Sequence, residues 1–440
     1  MGLHTRSLPQ KAHPGGRSTM KFKAQDKQNQ LIENITAHHL VVGVDIAQDT
    51  HVARAVSFRG IALGAPLEFG NHLEGFKLFG RWIQDLLQTY KLNKVIIGME
   101  PTGHYWLNLA RWLSSQRIEA VLVNPHLVKK NKENRDNSPS KSDRKDALVI
   151  ADMVKNGYYS PVRFHPEAYE ELRILMANRD TVTKRLNSAV NQIHRWVDIV
   201  FPELRQVFKT LTCTSSIATL RLFPLPEEIS RLTTEEVLTG WKQYVKRHAG
   251  VKRAEQLIEL AKCSIGATQA LQAYKLHLSQ LLEEYDLAQR QLEQIEHELH
   301  LILRRIPYAQ KLLDIQGLNA TSLAGILGEA GDLSGYVHGN ALLRHAGLNL
   351  TEASSGKWRG KMALSKRGRP RLRRFLYLMT MCMVMTNPDI RALHHHNVDV
   401  KKLKKMKSIM KLCGKVARML VGLAKSSEAY DSTKVFPQAA

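Results

Sequence analysis

The chain has 440 residues, 43% of them hydrophobic, which is enough for two or three domains with buried cores. Its 64 Lys and Arg against 40 Asp and Glu give a formal net charge of +24, beyond what solubility needs, and imply a polyanionic partner, nucleic acid ahead of an anionic membrane. No apolar run approaches the ~20 residues of a membrane span, and Cys213, Cys263, Cys382 and Cys413 are scattered with no CxxC pair, which argues against a disulfide framework and a zinc site and fits a reducing cytoplasm.

Residues 1–38 are polar and basic, with no acid before Asp26, and are expected to form a disordered basic arm. From Leu40 the pattern changes to LVVGVDIAQDTHVARAVSF, read as a buried strand (Leu40–Ile46), a turn and a second strand near Val52–Val56. Asp45 falls at the end of the first strand. A helix over Leu73–Thr89 follows, then a strand over Lys94–Met99 that ends at Glu100 before the breaker Pro101-Thr102-Gly103. His104–Ser114 reads as a helix and Glu119–Val123 as a strand. This alternation predicts an α/β sheet, with both acids at strand ends, where such folds place their chemistry.

The polar stretch KKNKENRDNSPSK, residues 129–141, reads as a loop that delivers the chain to KSDRKDALVIADM. There Asp143 and Asp146 share one helix face, while Ala147, Leu148, Ile150, Ala151 and Met153 form a stripe that can seat the helix on a core. Two carboxylates so placed repel, and a divalent cation relieves them; a solvated first turn favoured by the helix dipole is the plainer reading. The first domain is expected to span 39–162, closed by Tyr158, Tyr159 and Pro161.

A helical, coiled-coil region is expected over 163–306. One long helix runs from about Glu167 to Val200, with Leu172, Leu175, Val182, Leu186, Ala189, Ile193 and Trp196 along its seam, imperfect at Arg179. Thr233 and Glu236 form a capping box before a short helix. The seam resumes from Leu271 to Ile302, and Pro307 stops it. An intramolecular helical hairpin and a dimer contact fit this pattern equally.

A mostly helical C-terminal domain is expected over 307–431, followed by a tail, 432–440. LLDIQGLNATSLAGILGEAG reads as two short helices around Gly317-Leu318, either a helix-hairpin-helix-like segment able to offer backbone N–H groups to phosphate or a plain helical hairpin. Beyond it, Ser354-Ser355-Gly356 opens a stretch with no acid until after Pro388. Lys357, Arg359, Lys361, Lys366, Arg367, Arg369, Arg371, Arg373 and Arg374 crowd its first half, an electrostatic seat for phosphates. A hydroxyl beside Gly356 and ringed by cations suits a nucleophile on a phosphodiester; the alternative is a simple loop. Met379, Met381, Met383 and Met385 read as core filler, His394–His396 as a solvated loop, and the lysine-rich tail helix as packed on the core with its lysines outward.

Taken together, these stretches resemble the IS110-type transposases, in particular their IS1111-like branch, from about Leu40 to Asp431. The N-terminal signature is GVDIAQDTH (Asp45), GMEPTGHYW (Glu100) and DRKDA (Asp143, Asp146); the C-terminal one is AGLNL, SSGKWRG and LSKRGRPRLRRFL. The resemblance implies a RuvC-like (ribonuclease H-like) fold whose four acids form a DEDD site for Mg²⁺, two ions in all. It places the nucleophilic serine on Ser355, with Ser354 beside it as the alternative, and a covalent phosphoserine link to DNA. It further implies donor and target DNA as partners, a structured guide RNA, a homodimer through the coiled coil and a tetramer on DNA. In that assembly one subunit's carboxylates meet another's serine. A cytoplasmic, nucleoid-associated protein with no membrane partner is expected. The rival expectation is a RuvC-like Holliday-junction nuclease acting by metal-assisted hydrolysis.

Overall fold

A computed structural model describes residues 26, 28–101, 103–135, 143–245, 250–351, 354–355, 358–359, 362–428 and 430–431, with only the main chain of 132–135, 143, 354–355 and 358–359. The chain divides into two compact units, Met1–Phe164 and His165–Ala440.

The first unit is built on a six-stranded sheet in the order β3-β2-β1-β4-β5-β6. Its strands are β1 (His39–Asp45), β2 (Thr50–Val56), β3 (Ala62–Gly70), β4 (Lys94–Met99), β5 (Glu119–Val123) and β6 (Tyr159–Pro161). β1, β4 and β5 are mutually parallel, and β2, β3 and β6 run antiparallel to their neighbours. Alternation sorts the side chains. Leu40, Val42, Val44, Ile97 and Met99 face a core closed by α1 (Leu73–Thr89) and α2 (Trp106–Ser115). Val41, Ile96, Val121 and Val123 face a second core under α3 (Pro125–Arg135) and α4 (Asp143–Lys155).

Three local expectations differ. The edge strand β3 has an uneven apolar pattern interrupted by Gly64 and Pro66, which hides it from a period-two reading. The region expected as a loop begins as helix α3: Pro125 sits in its first turn, and the Asn124 side chain accepts from the His126 N–H at 2.9 Å. Residues 28–35, expected within the basic arm, are docked: Ile35 is buried, and the Leu31 carbonyl accepts from the Tyr159 hydroxyl at 3.1 Å.

The second unit is organised on two 34-residue helices, α5 (Glu167–Val200) and α11 (Leu271–Arg304). They run antiparallel, as the cross-links descend in register: Arg305 to Glu171 at 2.5 Å, Arg179 to Glu296 at 2.7 Å, Arg185 to Gln291 at 3.0 Å, and Trp196 Nε1 to the Tyr274 carbonyl at 2.8 Å. The two seams bury against each other, with Leu172, Val182, Ala288, Ile295 and Leu299 in one core and Ile193, Trp196, Leu278 and Leu281 in the next. Of the two arrangements open to the sequence, the chain adopts the intramolecular hairpin. Arg179, which breaks the seam, is the residue that pairs with Glu296.

Five shorter helices form the second core: α6 (Leu204–Val207), α7 (Thr214–Leu222), α8 (Pro226–Ile229), α9 (Thr234–Lys242) and α10 (Val251–Lys262). The capping box is present, with Thr233 N–H donating to Glu236 at 2.7 Å and Glu236 N–H to Thr233 Oγ1 at 3.3 Å. The first core gathers α12 (Ala309–Leu313), α13 (Ala320–Ala330), α14 (Gly339–His345), α15 (Pro370–Thr386), α16 (Pro388–His395) and α17 (Lys405–Lys425). Gly317, at φ +95°, turns the chain between α12 and α13 so close to α15 that a Cβ would lie 2.9 Å from Met383 Cα. Met379 and Met383 are core, whereas Met385 is 61% exposed. No helix among the described residues is long and apolar enough to cross a membrane.

Candidate active site

Gly43 and Gly98 are register partners in the parallel pair β1/β4. Helix α4 crosses directly over them: a Cβ on Gly43 would stand 2.0 Å from the Ala147 carbonyl oxygen, and one on Gly98 2.4 Å from Val154 Cγ2. No other residue type permits so close an approach of helix and sheet. Each glycine precedes an acid by two residues, so Asp45 and Glu100 fall on the same sheet face as the glycines, about 7 Å further along their strands.

The direction of α4 follows from its far end. A Cβ on Gly60, in the turn between β2 and β3, would lie 2.8 Å from Lys155 Nζ and 3.5 Å from Asp152 Oδ1. Because β2 is antiparallel to β1, that turn lies at the start of β1. The first turn of α4 therefore points toward the end of β1, the end at which Asp45 stands. Asp146 is buried, and the stripe Ala147, Ile150, Ala151 and Met153 seats α4 on the core as its spacing predicts.

The loops beyond the two strands are tied to each other. Tyr105 Oη donates to Gln48 Oε1 at 3.2 Å, joining the segment after Glu100 to the segment after Asp45. Asn71 Nδ2 donates to the Gln48 carbonyl at 3.0 Å, and Ala47 N–H donates to His51 Nδ1 at 3.3 Å. His51 is wholly buried beside Phe69 and Phe76, and burial pushes its pKa down, keeping the imidazole a neutral acceptor. None of these supports was anticipated from sequence, although Gln48, His51 and Tyr105 all stand inside the GVDIAQDTH and GMEPTGHYW motifs.

The donor set is all oxygen, at the ends of adjacent strands and on a helix seated on paired glycines, which suits a hard divalent cation. Among the described residues no group of three or more His, Cys, Asp or Glu is drawn together as a metal site, and the Asp143 side chain lies outside them. Arg144 of the same motif reaches Glu68 at 2.9 Å.

In the second unit Ser354 and Ser355 form β8, paired antiparallel with β9 (Trp358–Arg359), so Ser355 opposes Trp358 across a tight hairpin. The stem beneath it is closely stitched. β7 (Leu350–Thr351) pairs with β10 (Ala363–Leu364), Ser365 Oγ donates to Asn349 Oδ1 at 2.8 Å, and Lys366 N–H donates to the Gly347 carbonyl at 3.0 Å. At its base two glycines touch: a Cβ on Gly368 would stand 2.4 Å from Gly347 N and 2.5 Å from the His345 carbonyl. Hence the GLN and SKRG segments, though separated in sequence, are the two halves of one stalk.

The expected phosphate-binding cations divide. Lys366 and Arg367 are exposed. Arg369 approaches Glu329 at 3.5 Å and donates to its carbonyl at 2.9 Å; Arg371 pairs with Asp180 at 2.8 Å; Arg373 donates to the Ala346 carbonyl at 2.9 Å. Arg374 also reaches Asp180, at 2.5 Å. Asp180 and the buried Glu329 thus fix the start of α15, a role hidden in sequence because both lie far upstream. His345, below the hairpin, meets the Tyr336 hydroxyl at 2.6 Å; burial, with Arg369 and His165 nearby, takes its pKa down to about 4. Lys357, Lys361 and the side chain of Arg359 lie outside the described residues, as do the side chains of Ser354 and Ser355.

Comparison with known proteins falls on both regions. A family model described as a transposase of the DEDD IS110 type matches residues 42–202, and one described as a transposase of the IS116/IS110/IS902 family matches 309–395. An uncharacterized 44.8 kDa protein of insertion element IS116 from Streptomyces clavuligerus is 25% identical over 248 residues, 56% of this chain and 61% of its own. A pilin gene-inverting protein from Moraxella bovis is 24% identical over 196 residues, 40% of this chain and 58% of its own. The mini-circle putative transposase for IS117 from Streptomyces coelicolor is 24% identical over 335 residues, 72% of this chain and 77% of its own. The chain thus spans about three-fifths of the first two relatives.

Proposed function

Since the chain belongs to the IS110 family of transposases, we propose that it cuts and rejoins DNA at the ends of an insertion sequence with Ser355 as the nucleophile. Two features, one in each unit, support this reading. One is the placing of Asp45 and Glu100 two residues beyond the glycines over which α4, the helix of Asp146, crosses; the other is the Ser354–Ser355 strand on its stitched stalk. Ser355 Oγ gives up its proton and attacks the phosphorus. One bridging P–O bond breaks, and the departing strand leaves as a hydroxyl. The serine phosphodiester keeps the bond energy, so attack by another strand's hydroxyl restores both a DNA phosphodiester and the free serine with no high-energy cofactor. Lys366 and Arg367, with Lys357, Arg359 and Lys361, steer the phosphate backbone to the hairpin and offset the charge that builds on it.

Asp45, Glu100, Asp143 and Asp146 would hold Mg²⁺. When bound, it supplies Lewis-acid polarisation of the scissile phosphate. The chain's own part is to hold these carboxylates in register, through the glycine pair and the Tyr105–Gln48 tie.

Recognition of donor and target DNA through a structured RNA, and a site shared between the carboxylates of one subunit and the serine of another, belong to the same proposal. The dimer it requires has to use something other than the seam between α5 and α11, which the chain fills by itself; exposed Ile174 and Leu301 on the hairpin are available.

The test is trapping of protein on a supercoiled plasmid carrying the element's ends, resolved on a denaturing gel. Wild type is expected to give a covalent adduct, Ser354→Ala to keep it and Ser355→Ala to lose it together with excision. An adduct that persists in Ser355→Ala overturns the assignment. Plasmid cleavage without an adduct, undiminished in Ser355→Ala, would instead favour a hydrolytic RuvC-like nuclease.

A further inference from the structure

Helix α17 presents a cationic row unrelated to the serine hairpin. Between Asp399 and Glu428 the sequence contains no acid and no aromatic residue. The buried face of α17 is broad, centred on Ile409, Leu412, Val416, Met419, Leu420 and Leu423 and widened by Ser408, Cys413, Ala417 and Val421. Opposite them stand positions 404, 407, 411, 415, 418, 422 and 425, in steps of three, four, four, three, four and three. At 3.6 residues per turn these fall within about 80° of arc, and at 1.5 Å per residue they extend for about 31 Å. Six of the seven are Lys404, Lys407, Lys411, Lys415, Arg418 and Lys425, and the seventh is Gly422; at the edge of the row Arg418 donates to Asn340 Oδ1 at 3.2 Å and Lys425 to the Val337 carbonyl at 3.1 Å.

Two further features mark this row as more than a solvated face. A helix in solvent gains from i,i+4 pairs of opposite charge, and this one stacks like charges at that spacing instead, a cost that an external polyanion removes. Burial, with Arg418, Lys411 and Lys401 close by, holds the Lys415 ammonium below the usual lysine range. Gly422 is exposed and a Cβ there would meet nothing within 4 Å, so the helix surface is bare toward the C-terminal end of the row, although glycine weakens a helix interior. A backbone can approach closely there.

We propose that this face of α17 is a docking track for the sugar-phosphate backbone of duplex DNA, held by charge and indifferent to sequence. It rests on the reading of the protein as one that acts on DNA, and locates a second place where the duplex is gripped. The row itself carries no aromatic platform, which single strands and unstacked RNA bases use, and no amide or carboxylate of its own to read base edges, and the neighbouring Asn340 is engaged by Arg418, so the backbone is what it recognises.

The experiment uses the full chain in a Ser355→Ala background, so that binding is measured without chemistry. Fluorescence anisotropy with a DNA duplex of arbitrary sequence is followed across a salt series. Each phosphate contact contributes about 0.9 to the slope of log K against log salt, so Lys407→Gln/Lys411→Gln/Arg418→Gln is expected to flatten it by about 2.7. Gly422→Lys, at an open position, is expected to steepen it by about 0.9 and tighten binding, which keeps the test valid if the triple variant fails to fold. An unchanged slope in both variants overturns the proposal. So does a loss on an RNA duplex of equal length that exceeds the loss on DNA, since the face would then belong to RNA. Loss of DNA adducts through Ser355 alone leaves these slopes untouched, so failure of the catalytic reading is distinguishable.

Discussion

At Gly43 a single methyl group would meet the Ala147 carbonyl at 2.0 Å, backbone against backbone, with no flexible side chain to move away. Gly43→Ala is therefore expected to lift α4 off the sheet and to destabilise the first unit by about 1–3 kcal/mol in urea unfolding, the range for overpacked cores. Gly422→Ala, made inside a helix where nothing is within 4 Å, is expected to act in the opposite direction, stabilising by up to about 1 kcal/mol. His51 sets a pH dependence. Its folded pKa lies below its unfolded value, so the neutral ring contributes stability above about pH 6.5, and that contribution is lost as pH falls through the depressed value. Urea midpoints measured between pH 7 and 5 are expected to fall, and to fall less steeply in His51→Asn. His345 acts with the same sign, its contribution being lost from about pH 6.5 down to its folded value of about 4.

Among the elements, those with strong periodicity were legible from sequence. The helix over Leu73–Thr89 and the strand over Lys94–Met99 have the boundaries their patterns predict, because apolar spacing and flanking turn residues agree there. β3 and α3 were not legible: one is an edge strand with interrupted alternation, the other a polar helix set by a cap rather than by burial. The acids were legible as strand-end residues, but their support was not. Tyr105–Gln48 and the Asp180 and Glu329 pairs join residues distant in sequence and leave no local pattern. The serine stalk makes its own prediction. Gly368→Ala drives a methyl onto Gly347 N and the His345 carbonyl at its base, so the hairpin is expected to shift while the large core beneath persists. Covalent adduct formation should drop at least tenfold, with a thermal midpoint within a few degrees of wild type; retention of full adduct yield would show that the stalk's geometry is not required. Asp180→Asn, which weakens two partly exposed ion pairs, is expected to cost no more than about 1 kcal/mol.

For the whole molecule, the α5/α11 hairpin is the spine of the second unit, shared by both of its cores. Leu299, fully buried in the seam, is expected to cost about 2–5 kcal/mol when replaced by Ala. Because the seam closes within one chain, that loss should be the same at all protein concentrations; rescue by raising the concentration would point to a seam shared between chains. The sequence pattern specified the seam but not its partner, since knobs from the same chain and from another satisfy the same heptad.

The glycine pair under α4 also acts as a ruler. In GVD and in GME the acid lies two residues past the point where helix and strand touch. The interval is set by covalent chain geometry rather than by the packing of replaceable side chains. Substitutions elsewhere in the first unit can therefore accumulate without changing the offset of the acids, whereas one inserted residue between Gly43 and Asp45 would turn that carboxylate to the opposite face. The spacing, more than the surrounding residues, is what the sheet preserves.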